Sequence, residues 1–122
     1  MIQADGKQSD ARMSEAELVK QIRVLCDGLK LHAFHVGSYR IPGATRRPGS
    51  SAGFPDWVIV GPGGIYFREC KSTDGRRSLA QIAWGKAITA AGGNYALWRP
   101  EALAGGHILT ELQALANPPI AN

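Results

Sequence analysis

Asp56, Glu69 and Lys71 stand where a pair of strands would be expected to carry valine or isoleucine, in the run GFPDWVIVGPGGIYFRECKS from Gly53 to Ser72. Strand side chains alternate between faces, so Glu69 and Lys71 share a face with Ile65 and Phe67, and Asp56 shares one with Val58 and Val60. The stretch Gly61-Pro62-Gly63-Gly64 reads as a turn joining the two runs. If that turn closes symmetrically, Val60 faces Ile65, Val58 faces Phe67 and Asp56 faces Glu69. Directly opposed residues have Cβ atoms about 4.5–5.5 Å apart, which sets two carboxylates side by side with Lys71 one step further along. Like charges so opposed destabilise a sheet unless something compensates them. A hard divalent cation does so: magnesium takes oxygen ligands at about 2.0–2.1 Å and is commonly held by one or two carboxylates, waters and substrate phosphate oxygens. Such an ion orients a water and polarises a phosphodiester, and a nearby ammonium holds the water or the charge developing on phosphorus oxygens. The chemistry that fits is phosphodiester hydrolysis. A plainer account makes Asp56 a turn acid after Pro55, and Glu69 and Lys71 a solvated edge. It explains each residue singly but not their convergence on one face of otherwise apolar strands.

The elements that must position these groups are legible in outline. Residues 1–13 read as a flexible leader, 14–116 as a single domain and 117–122 as a tail. Ser14 is a good N-cap with Glu17 at capping-box spacing, and Leu18, Val19, Ile22, Leu25, Cys26 and Leu29 then recur at helical spacing. Leu31 to Val36 reads as a short strand and residues 37–51 as a loop carrying Arg40, Arg46 and Arg47. The hairpin strands are expected at Asp56 to Val60 and Ile65 to Lys71, followed by a polar loop with Arg76 and Arg77. Ser78 caps a helix over Leu79 to Ala91, with Gln81 at the capping-box position and Gly92-Gly93 as its stop. Asn94 to Arg99 is a strand ended by Pro100, and a last helix covers part of Ile108 to Ala116. The order, helix, three strands, helix, strand, helix, predicts a compact α/β unit with a mixed sheet.

Bulk properties narrow the classes. The chain has 122 residues, 44% of them hydrophobic, enough for the core of one domain. Its net charge of +4 suits a polyanionic partner. No apolar run approaches the roughly 20 residues that span a bilayer, and the polar N-terminus lacks a signal segment, so no membrane partner and a cytoplasmic location are expected. Cys26 and Cys70, without a CxxC or zinc spacing, are expected as reduced thiols.

Pro55-Asp56 followed by Glu69-Cys70-Lys71 resembles the PD-(D/E)xK signature of a large nuclease superfamily. The wider run AGFPDWVIV, GGIYFRECKS and GRRSLAQIAWGKAITAAGGNYALWRP is similar to its virus-type replication-repair (VRR-NUC) branch, over roughly residues 14–100. The resemblance implies a restriction-endonuclease-like core in which Asp56 and Glu69 bind magnesium, or manganese in its place, while Lys71 assists the attacking water. It further implies that the backbone carbonyl of Cys70 completes the metal shell and that the first helix brings an acid. Cys70 departs from the usual aliphatic residue, but its side chain is expected on the other face. The helical wheel favours Glu15 as the first-helix acid, since it lies over the Leu18, Ile22, Cys26 and Leu29 stripe while Glu17 falls nearly opposite and is explained as a capping residue. Gln81 is either a glutamine near the metal, as in related nucleases, or only a helix cap. Trp84 is expected to pack its helix on the sheet, and Tyr39 and Phe54 to anchor loops. His32 and His35 are expected to be structural and to face opposite ways.

If both flanking loops rise at the active end of the sheet, Arg40, Arg46, Arg47, Arg76 and Arg77 would neutralise phosphates without reading sequence. Together these readings predict a small magnesium-dependent endodeoxyribonuclease of phage type, acting on branched DNA such as junctions or flaps. Cutting a junction twice would need a homodimer. The alternatives are a nicking or restriction-like endonuclease on linear duplex, and a nucleic-acid-binding module with an impaired site.

Overall fold

The computed structural model describes residues 13–38 and 52–120. Helix α1 (Glu15–Gly28) leads into strand β1 (His32–His35) and a single 3-10 turn (Val36–Ser38). The hairpin strands β2 (Trp57–Gly61) and β3 (Gly64–Cys70) follow, then helix α2 (Leu79–Ala90), strand β4 (Asn94–Trp98) and helices α3 (Pro100–Ala104) and α4 (His107–Ala116). The four strands form one sheet in the order β1-β2-β3-β4. The first three are antiparallel neighbours and β4 runs parallel to β3, a pairing that needs a crossover, which α2 supplies.

The hairpin has the symmetric register expected of it, with Val60 opposite Ile65 and Val58 opposite Phe67. Pairing continues to Gly61 opposite Gly64, so the turn proper is only Pro62-Gly63. Gly64 takes φ +132°, a conformation that L side chains rarely adopt, and no Cβ is there to oppose it. Ser14 caps α1 by accepting from the Glu17 backbone N–H at 3.1 Å. The reciprocal arm of a capping box is missing there, and the Glu17 carboxylate lies 3.9 Å from Lys20 instead. Around Pro100 the outcome also differs from expectation. The proline ends β4 but sits in the first turn of a short helix, where its missing N–H costs nothing.

Two helices cover one face of the sheet. Leu18, Ile22 and Cys26 of α1 and Ile108, Leu112 and Leu115 of α4 close over Trp57, Ile59, Cys70 and Trp98 to form one buried cluster. Helix α2 packs on the β4 side of the opposite face, where Phe34 of β1 and Ile65 of β3 stay about half exposed. Trp84 stands edge-on to Phe54, with ring centroids 5.0 Å apart, and Phe54 stands edge-on to Phe67 of β3 at 6.4 Å. Gly85 lets the helix press on β4, since a Cβ there would lie 2.7 Å from the Tyr95 ring. Both aromatic residues thus do the packing expected of them. His35 rests against Trp57 at 4.9 Å between ring centroids, and His32 is exposed.

Candidate active site

The two acids meet at the open end of the hairpin, on the face against which α2 packs. Asp56 immediately precedes β2, and continuing the register places it opposite Glu69. It is held twice: its backbone carbonyl accepts from Val36 N–H at 2.8 Å, and its Oδ2 accepts from Cys70 N–H at 2.7 Å. Just before it, Gly53 takes φ +91° and lies so close to α2 that a Cβ would come within 2.4–2.6 Å of the Ala80 and Gln81 backbone. The segment leading into Asp56 is therefore seated on the first turn of the helix that carries Gln81.

Gln81 caps its helix and also contacts one of the two acids. Its Oε1 accepts from Ser78 N–H at 2.7 Å, completing a capping box, while its Nε2 donates to Glu69 Oε2 at 2.9 Å. The cap thus orients the amide toward the acid. Glu69 is 1% exposed. Its second oxygen, Oε1, is buried with no donor from the rest of the chain, and a hydrogen bond between the Glu69 and Asp56 carboxyls forms only when one of them carries a proton. The other such atom among the described residues is Trp57 Nε1, which lies near the Cys70 thiol.

The charges agree with this geometry. Burial, and next to it the Asp56 carboxylate, push Glu69 up to about 9; Lys71 opposes the shift and Glu15 adds to it. Without a cation, Glu69 is thereby biased toward its neutral form. Glu15 is raised too, first by burial and then by Asp56, with Lys71 again opposing. That coupling puts Glu15 within the field of the site, while Glu17 is turned to Lys20.

The residues present fit a cation by one direct test, the buried Glu69 oxygen with no donor beside a second carboxylate. Among the described residues no three His, Cys, Asp or Glu side chains gather into a group able to hold a metal ion. A cation would therefore rest on the Asp56 and Glu69 pair, with a backbone oxygen and waters completing its shell, as suits magnesium. In a strand a residue's N–H and C=O point to the same edge, so the Cys70 carbonyl faces the side on which its N–H meets Asp56. The Cys70 thiol belongs to the core on the other face, where burial raises its pKa.

No protein-family model, curated protein or solved structure matches this chain. The site has to be read from its own residues.

Arg40, Arg46, Arg47 and Tyr39 lie outside the described residues. Arg76 is exposed in the loop after β3, whereas Arg77 is partly buried and reaches the Tyr95 hydroxyl at 3.3 Å. Two features escaped the sequence reading. Arg99 donates from Nη1 to the carbonyls of Ser72, Thr73 and Gly75, at 2.7, 3.3 and 2.7 Å. Arg68 is 2% exposed on the opposite face of β3 from Glu69 and binds Glu111. Parity along β3 could have revealed it, because Arg68 falls between the core-facing Tyr66 and Cys70.

Proposed function

We propose that this protein is a metal-dependent nuclease with a PD-(D/E)xK-type core, hydrolysing phosphodiester bonds in DNA. One observation carries the reading: a buried Glu69 oxygen with no donor, beside the carboxylate of Asp56. Two acids paired in this way repel unless a proton or a divalent cation lies between them, and only the cation leaves both carboxylates ionised.

Asp56 and Glu69 would hold magnesium or manganese together with the Cys70 carbonyl. When bound, that ion supplies Lewis-acid activation of the phosphodiester and of a water. The chain's own residues do the rest. Gln81 fixes the Glu69 carboxylate through Nε2. Lys71 extends the same strand face by one step; its ammonium donates to the attacking water or to the phosphate oxygen that gains charge. Glu15 contributes negative charge from the first turn of α1, which attracts the cation without requiring direct ligation. Exposed Arg76 serves a flanking phosphate. Branched DNA is the proposed substrate, with a homodimer required where two strands are cut symmetrically.

The test is cleavage of a panel of labelled linear, nicked, flapped and four-way DNAs with magnesium, with manganese and with chelator. Cleavage should require the metal, and Asp56→Ala should lose it while retaining DNA binding. Cleavage in chelator, or a fully active Asp56→Ala protein, would show the chemistry to lie elsewhere.

A further inference from the structure

A lysine side chain has a flexible four-carbon stem, so an ammonium that must meet a reacting group needs something to direct it. Lys71 has left the sheet by the time its side chain begins. Its N–H still bonds to the Trp98 carbonyl at 3.1 Å, but no ion pair among the described residues engages its ammonium within 4.0 Å. What confines it is the chain that follows. Gly75 N–H closes a turn onto the Ser72 carbonyl at 3.2 Å. A Cβ built on Gly75 would lie 3.4 Å from Lys71 Cδ and 3.0 Å from Ser72 Oγ, so the loop doubles back over the lysine stem.

That loop has a cationic clasp. Arg99 places Nη1 at 2.7 Å from the carbonyls of both Ser72 and Gly75, and at 3.3 Å from that of Thr73. Thr73 is also hydrogen-bonded to the Glu101 carboxylate. Consecutive residues at the end of β4 thus hold both sides of Lys71: Trp98 fixes its backbone and Arg99 fixes the loop that fences its side chain. Arg99 meets no carboxylate within 4.0 Å among the described residues; its partners are neutral carbonyls.

We propose that Arg99 is the positioning residue for Lys71, clasping the 72–75 backbone so that the lysine stem is held toward the Asp56 and Glu69 pair. The inference rests on the nuclease reading and adds to it a group that never touches DNA or metal.

The experiment compares Arg99→Ala, Arg99→Lys and Lys71→Ala, and the Arg99→Ala/Lys71→Ala double variant, in single-turnover cleavage of the best DNA with magnesium. Arg99→Ala should lower the rate at saturating DNA by about 10²-fold, the effect of a small misplacement, while KM stays unchanged. Guanidinium ion should restore part of that rate in Arg99→Ala and none in Lys71→Ala. Arg99→Lys should recover part of the rate, since a single nitrogen, Nη1, reaches all three carbonyls and an ammonium also carries three donors. Because Arg99 acts through Lys71, the double variant should be no slower than Lys71→Ala alone. Trypsin should cut after Arg76 and Arg77 faster in Arg99→Ala, with the melting temperature of the whole protein little changed. Full additivity in the double variant, or wild-type cleavage by Arg99→Ala, overturns this inference and leaves the nuclease reading intact. A wild-type protein inert toward every DNA with either metal overturns that reading, and the role of Arg99 with it.

Discussion

Arg68 and Glu69 are neighbours on β3, almost fully buried at 2% and 1% exposure, and they face opposite sides of the sheet. The Arg68 guanidinium reaches Glu111 Oε1 through Nε at 3.3 Å and Nη2 at 3.0 Å, and donates from Nη1 to the carbonyls of Phe67 and Asn94. It also stacks on Tyr66, 4.0 Å from the ring centroid. Glu111 Oε1 accepts from Trp98 Nε1 at 3.0 Å as well, and the Glu111 carbonyl takes the Tyr66 hydroxyl. That side is an opposite-charge cluster with its donors satisfied, and it fastens α4 to the sheet. On the Glu69 side the nearest charge has the same sign, and one oxygen is left without a donor. The same strand at the same depth therefore has a charge compensated from within the chain, which builds the fold, and a carboxyl that only a proton or an outside cation relieves. Such a contrast is expected where a site keeps a valence open for something outside the chain.

The sharpest way to break the comparison is to remove one acid from each cluster. Glu69→Gln keeps the shape and the contact with Gln81, and Glu69 already carries a proton at neutral pH. Its folding stability should be unchanged or higher, while cleavage falls by at least about 10²-fold and the stabilisation by magnesium disappears. Glu111→Ala should do the reverse. It strands a buried guanidinium, a change that costs about 3–5 kcal/mol when the pair is fully buried. Here Glu111 is 39% exposed and Arg68 keeps two carbonyls, so the lower figure of about 2–3 kcal/mol is expected. Turnover per folded molecule should hold. Thermal melts with and without magnesium, alongside cleavage rates, read both arms.

A smaller effect separates the clusters by pH. Glu69 binds its proton more tightly folded than unfolded, so the stability this provides is complete below about 4.5 and is lost as pH rises through about 9. In chelator the melting temperature should therefore decline across that window. If magnesium binds the pair as proposed, it displaces the proton, and its stabilising effect should grow from pH 6 to pH 8.5. The deficit of Glu111→Ala should stay flat over the same range, because Arg68, although lowered by burial, remains an arginine and keeps its charge. A magnesium effect independent of pH would mean that the cation does not compete for the proton of the pair.

How far the sequence carries this contrast depends on whether the relevant contact is local. A symmetric turn was enough to give the hairpin register, and with it the meeting of Asp56 and Glu69, because strand parity counts from the turn. The first-turn position of Gln81 was readable from Ser78, but its second bond to Glu69 was not, since that depends on where the crossover helix lands on the sheet. Arg68 and Glu111 are 43 residues apart, and an arginine beside an acid reads as a solvated strand edge unless its parity is compared with that of Tyr66 and Cys70. Arg99 was invisible for another reason. Its partners are backbone carbonyls, which no residue type announces. The α3 helix was missed because Pro100 was read only as the end of a strand, although proline is equally at home in a first helical turn.

The smallest expected effect falls on Cys70, the one residue that belongs to both sides. Its side chain lies in the core with Trp57 and Trp98, while its N–H is the donor to Asp56 Oδ2. If the site uses only this backbone, a change of side chain should be felt by the core alone. Cys70→Val keeps an apolar group of similar size and adds the β-branching that strands favour, so the cost should stay below about 1.5 kcal/mol. Cleavage and its magnesium dependence should match the wild type, and the folded native protein should be slow to react with a thiol reagent, burial and the nearby acids having raised the Cys70 thiol. Should Cys70→Val cleave poorly at undiminished stability, the sulfur itself would take part. The site would then no longer be confined to one face of β3, and the separation of the two clusters by strand parity would fail with it.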